Sequence, residues 1–135
     1  MRRRFRKSSP PQAPPGSDDH MMATLAALGV PAKFATSDPM AALSGGFAKA
    51  SIYRAHQALE AGDFAEAISA ATAVIEYPGM TTDEGFSDVA AVAFYLRGSA
   101  KERSRPFADA KADYEDALAR LPDHAGALAG LDRLG

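Results

Sequence analysis

Gly62-Asp63-Phe64-Ala65-Glu66-Ala67-Ile68 is the stretch on which the fold turns. Gly takes the left-handed backbone that closes a helix without a Cβ penalty. Asp63 follows as a preferred N-cap, and Glu66 is spaced to reach back and complete a capping box. One helix therefore stops and another starts across a very short turn. Upstream, Ala50, Tyr53, Ala58 and Leu59 recur at helical spacing. Downstream, Phe64, Ala67, Ile68, Ala71, Val74 and Ile75 form one wide apolar face, which Pro78-Gly79 ends. The unit is a helical hairpin.

The hairpin recurs. Phe94, Leu96, Gly98 and Ala100 lie on a helix predicted to end near Arg103. Pro106 opens its partner, which carries Phe107, Ala110, Tyr114, Ala117 and Leu118 before Pro122. Phe64 and Phe107, Ala67 and Ala110, Val74 and Ala117, Ile75 and Leu118, and Ala55 and Gly98 are each separated by 43 residues, so the chain repeats internally.

A small residue in the first helix, Gly-Asp-aromatic at the turn, Ala three residues on and Pro behind the second helix make this unit resemble the tetratricopeptide repeat (TPR). The second copy reads Phe94-Tyr95-Leu96-Arg97-Gly98, then Pro106-Phe107-Ala108-Asp109-Ala110 and Asp113-Tyr114-Glu115-Asp116-Ala117-Leu118. That family's period is about 34 residues, which assigns the excess to an insertion at Gly79 to Asp88. Arg54 and Arg97 stand where the family usually has Leu, and Ala58 and Lys101 where it has an aromatic. The resemblance implies an all-α fold of antiparallel helical hairpins stacked as a short TPR-like solenoid over residues 47–135. Repeat 1 spans about 48–78, the insertion about 79–88, repeat 2 about 91–122 and a capping helix about 124–134. Asp123 is expected to cap that last helix, with Leu128, Leu131 and Leu134 covering the open end. Ala55, Ala67, Gly98 and Ala110 are expected where helix axes approach closely. Repeat stacks generally want three or more units, so support is expected from residues 21–46 or from a partner subunit, a homo-oligomer included.

The N-terminal third differs in kind. Residues 1–20 carry Pro10, Pro11, Pro14 and Pro15 without apolar periodicity and read as a disordered tail. Five of the chain's 15 bases (Arg2, Arg3, Arg4, Arg6 and Lys7) fall in the first seven residues, so a basic arm joins an acidic body despite a net charge of only −2. Arg2-Arg3-Arg4-Phe5-Arg6-Lys7 resembles a twin-arginine export signal, but the apolar run such a signal needs does not follow it. A cytoplasmic, bacterial protein is the expectation, with Met1, Met21 or Met22 as start. Residues 21–46 read as a connector. A brief helix from Met21 stops at Gly29, a second opens at Ser37-Asp38-Pro39, and Gly45-Gly46 is expected to interrupt it.

Chemistry is sparse. With no Cys, there is no thiolate nucleophile or zinc-thiolate site. The glycine-rich phosphate, nucleophile-elbow and H-E-x-x-H signatures are missing, so no catalytic residue, cofactor or metal is expected. His20, His56 and His124 fall in a tail, a helix and a helix start, and a helix-surface side chain is the simplest reading of His56. Asp83, Glu84 and Asp88 lack the alternation of a calcium loop. Thr81-x-x-Glu84 is spaced to start the following helix early as a capping box. Asp109, Lys111, Asp113, Glu115, Asp116 and Arg120 read as a solvated face, with Asp116 and Arg120 as a helix pair.

What the resemblance implies for function is a groove lined by the first helices of successive repeats. By matching positions these are Lys49, Ile52, His56 and Leu59 from the first copy and Val92, Tyr95, Ser99 and Arg103 from the second. Ile52, Leu59, Val92 and Tyr95 would form an apolar floor, and His56, Ser99 and Arg103 would orient a helix or peptide of a partner protein. A non-catalytic adaptor or assembly factor is the leading expectation. The alternative is a helical accessory subunit tethered to nucleic acid or an anionic membrane by the basic arm. A third arrangement stays open, in which Met21 to Leu28 fill the groove in cis.

Overall fold

The computed structural model describes residues 18–31, 39–104 and 107–134, all in helices and their connections. Six α-helices follow in order among them: α1 Asp18–Leu28, α2 Pro39–Glu60, α3 Phe64–Ile75, α4 Ser87–Ser104, α5 Phe107–Arg120 and α6 Ala125–Leu134. The basic arm and most of the Pro-rich tail lie outside the described residues, as do Ser37, Asp38 and Pro106. Among the described residues no helix is long and apolar enough to cross a membrane.

The deciding turn forms as its residues dictate. Gly62 has φ 80°, its N–H donates to the Leu59 carbonyl at 3.1 Å, and the Asp63 N–H donates to that of Ala58 at 2.8 Å, which closes α2. Asp63 Oδ1 then accepts from the Glu66 N–H at 3.1 Å and opens α3. The reciprocal half of the capping box does not form. Glu66 turns its carboxylate to Arg54 on α2 at 3.2 Å, so Arg54 joins the two helices of the hairpin.

From α2 onward each helix packs on the next, and α4 also meets α2 and α6. α4 accordingly buries Val89 to Phe94, Leu96 and Gly98 to Ala100, nearly all round its axis, as a central helix must. The interior is built largely of alanine. Ala48, Ala55, Ala67, Ala71, Ala90, Ala93 and Ala110 are all inaccessible to solvent, so backbones approach closely.

Four expectations change. α2 runs through Gly45-Gly46, because two glycines cost a helix only about 1 kcal/mol each and do not break it. In the insertion, Thr81 does not start a helix. Asp83 caps a 3₁₀ turn, Glu84–Phe86, by accepting from the Gly85 N–H at 2.8 Å, and α4 follows at Ser87. That insertion also sends Met80 and Phe86 into the core, at 0% and 3% exposure. In α6 the buried positions are Ala127 and Gly130, which turns Leu128 outward to 48% exposure, while Leu131 and Leu134 pack on the core. His124 rather than Asp123 accepts from the start of α6, through Nδ1 and the Ala127 N–H at 3.2 Å.

Candidate binding face

α2 and α4 carry the residues expected to line a groove. Ile52, His56 and Leu59 share one face of α2 at spacings of four and three. Ile52 and Leu59 are buried, at 0% and 4% exposure, and Val92 of α4 joins them in the same core at 0%. Tyr95 is half-buried. Its ring centroid lies 4.9 Å from that of His124 and 6.2 Å from that of Tyr114, so it lodges between α4 and α6. Arg103 is exposed near the end of α4, and Lys49 is half-buried.

The expectation of an open apolar floor is therefore corrected. Ile52, Leu59 and Val92 belong to a core that also holds Leu25 at 1% and Val30 at 3%, with Met21 and Leu28 packed against it. α1 brings them there. Its His20 ring meets Tyr53 of α2 edge-on at 5.9 Å, while a Cβ on Gly29 would stand 3.7 Å from Val92 Cγ2. At α6 the His124 ring reaches the Leu28 carbonyl from Nε2 at 3.3 Å. Since Nδ1 accepts from Ala127, the ring proton sits on Nε2 and donates to Leu28. α1 thus packs on α2, with its closing turn beside α4 and its last carbonyl at the entry to α6. Packing of Met21 to Leu28 against the body was one of the alternatives the sequence left open, whereas Val30 and His124 were not marked for it. Their signal was Gly29, whose φ of 103° turns the chain so that the Val30 N–H donates to the Leu25 carbonyl at 2.9 Å and both side chains turn inward.

Ser99 faces the interior. It is buried and contacts the Tyr114 hydroxyl at 3.3 Å, in a network that binds α4, α5 and α6 together. Tyr114 Oη donates to Glu102 Oε1 at 2.6 Å, and Arg133 of α6 donates to both Glu102 oxygens at 2.8 and 2.9 Å. The Arg133 hydrogen bond, against the opposing effect of burial, holds the Glu102 carboxyl below its ordinary range. Burial, reinforced by the Glu102 carboxylate, pushes the Tyr114 phenol up to about 12.

Asp113, read as part of a solvated face, is 2% exposed. Arg97 grips it with both arms at 2.9 Å, Lys101 adds a contact at 3.1 Å, and Arg97 also donates to Thr72 of α3 at 3.2 Å. The departures from the repeat pattern at Arg97 and Lys101 thus meet one buried carboxylate, the arrangement a buried charge requires. Arg120 donates to the Asp116 carbonyl at 2.9 Å and covers the Phe94 ring at 4.7 Å.

His56 Nδ1 is the buried side-chain atom that finds no hydrogen-bond partner among the described residues. A cavity of about 270 Å³ lies apart from the face, between the insertion and α5, lined by Met80, Thr81, Asp83, Ser87 and Arg120 among others. Among the described residues no three His, Asp or Glu side chains are grouped to hold a metal ion. No protein-family model, curated protein or solved structure matches this chain.

Proposed function

We propose that the chain is a non-catalytic protein-protein interaction module. In this reading α2–α3 and α4–α5 are two TPR-like hairpins, α6 caps them, and the side made by α2, α4 and α6 holds a helix of a partner protein. The observation that carries the reading is the seat of α1: a short helix packs on α2, its His20 meeting Tyr53, its Leu28 carbonyl accepting from His124 and its closing Gly29 lying beside Val92. A face that accepts one such helix has the shape and apolar character for helix-in-groove recognition. The buried carboxylate of Asp113 and the half-buried one of Glu102 are engaged by Arg97, Lys101 and Arg133, which supports scaffolding over catalysis.

The test is site-specific photo-crosslinking in cells. A crosslinking residue at Lys49 or Arg103, beside the face, is expected to capture a discrete protein partner. The same residue at Lys111, exposed on α5, is expected to capture none. Equal capture from Lys111, or none from either rim position, would count against the reading.

A further inference from the structure

Among the described residues, α1 is the helix least tied to the rest of the fold. Helices α2 to α6 pack on one another in a continuous series, whereas α1 packs on α2, and the Gly29 turn that closes it lies beside Val92 of α4 and His124 at the entry to α6. It is closed by its own residues, through the Gly29 and Val30 hydrogen bonds back to Ala26 and Leu25. Its inward face is narrow: Leu25 is buried, Met21 and Leu28 are half-buried, and Met22, Ala23, Ala26 and Ala27 face solvent. Its hydrogen bond to α6, from His124 to the Leu28 carbonyl, is long at 3.3 Å. On the α2 face that carries Ile52 and Leu59, the His56 Nδ1 atom stays buried with no hydrogen-bond partner among the described residues. This face of α2 therefore retains an unmet polar group among the described residues, which costs free energy in any buried setting.

We propose that α1 is an intramolecular ligand of the α2–α4–α6 face, and that the partner helix displaces it. This rests on the functional reading above and adds the chemistry of the partner: an amphipathic helix with Met or Leu at the spacing of Met21, Leu25 and Leu28 and small residues between them. A polar side chain on that helix able to hydrogen-bond His56 Nδ1 would give it an advantage over α1. Because α1 is covalently attached, its effective concentration is of millimolar order, so an untethered competitor binds the intact chain weakly and a chain with α1 released strongly.

The probe is a fluorescein-labelled peptide of residues 18–31, titrated by anisotropy against the full chain and against its Leu25→Asp variant. Leu25→Asp places a charge in the core and releases α1. The variant is expected to bind the peptide at least about tenfold more tightly than the unaltered chain does, and a scrambled peptide to bind neither. Equal binding to both chains, or no binding to a variant that keeps its helical circular dichroism, overturns the proposal. Hydrogen exchange on the unaltered chain supplies a second measurement that needs no variant. Amides of α1 are expected to exchange by an opening that leaves those of α4 protected. Exchange of α1 and α4 at one common rate makes α1 part of the cooperative core and overturns the proposal, as does loss of helix in Leu25→Asp. None of these readouts involves a natural partner, so they fail independently of the crosslinking test.

Discussion

Gly130 of α6 and the ring of Tyr114 of α5 are in direct backbone-to-ring contact: a Cβ on Gly130 would fall 2.5 Å from Tyr114 Cζ and 2.8 Å from Cδ2. Gly98 of α4 closes on the other side, where a Cβ would stand 3.0 Å from Cδ1 and Cε1. The ring is thus clasped between two glycines, and α5 is held between α4 and α6. Gly130→Ala should destabilise by about 1–3 kcal/mol through overpacking, even though Ala is the better helix former. Gly46→Ala is the control. It lies in α2 with nothing within 4 Å of its would-be Cβ, and should stabilise by roughly 0.5–1 kcal/mol. Urea denaturation midpoints check both signs.

Asp113 holds two cations and is almost fully buried. Asp113→Ala leaves Arg97 and Lys101, at 18% and 21% side-chain exposure, facing a vacated site. A loss of about 3 kcal/mol is expected, with Lys101→Met costing clearly less because Arg97 still neutralises the carboxylate. Guanidinium unfolding of the two variants gives the comparison.

Tyr114 predicts a fall in stability at high pH. Its folded pKa of about 12 lies above the ordinary 10.0, so the neutral phenol is the form that the fold favours. The contribution is fully present below pH 10, shrinks as the unfolded chain ionises first, and is lost as pH rises through about 12. Tyr114→Phe should remove this part of the pH dependence, as read from melting temperatures on both sides of pH 10. Glu102 acts in the opposite direction. Its lowered folded pKa gives a contribution present above the ordinary 4.5 and lost as pH falls through the depressed value.

His124 joins two functions that substitution can separate. His124→Ala removes both the acceptor for the Ala127 N–H and the donor to Leu28. His124→Asn supplies a short N-cap acceptor but cannot reach α1. Stability is expected to drop by about 1 kcal/mol in the Ala variant and to recover in the Asn variant, while amide protection in α1 falls in both.

Local signals were legible wherever the determining residues sit close in sequence. Gly62-Asp63, Pro39 and Gly29 mark helix ends at the positions observed, and the small residues Ala55, Ala67, Gly98 and Ala110 are all buried. Gly45-Gly46 misled because helix propensity is a weak prior that a long flanking helix overrides. Met80 and Phe86 were hidden by their setting, two apolar residues in a Gly-rich, acidic stretch with no periodicity to mark them as core. Asp113 was hidden by its type, since a carboxylate on a charged helix is ordinarily solvated.

By itself the sequence determined that this is a helical protein, where most of its helices begin and end, and which small residues line its close approaches. Those properties follow from caps, glycine conformation and a period of about 3.6 residues, all set within a few positions of chain. Which long-range partners meet was decided only in three dimensions. Arg97 and Lys101 find Asp113, Tyr114 finds Gly130, and Ile52, Leu59 and Val92, which the repeat pattern assigned to an open floor, share one core with Leu25 and Val30. The physical reason is that an amphipathic helix specifies an apolar face without specifying what covers it. On α2, the tertiary structure gives part of that role to α1.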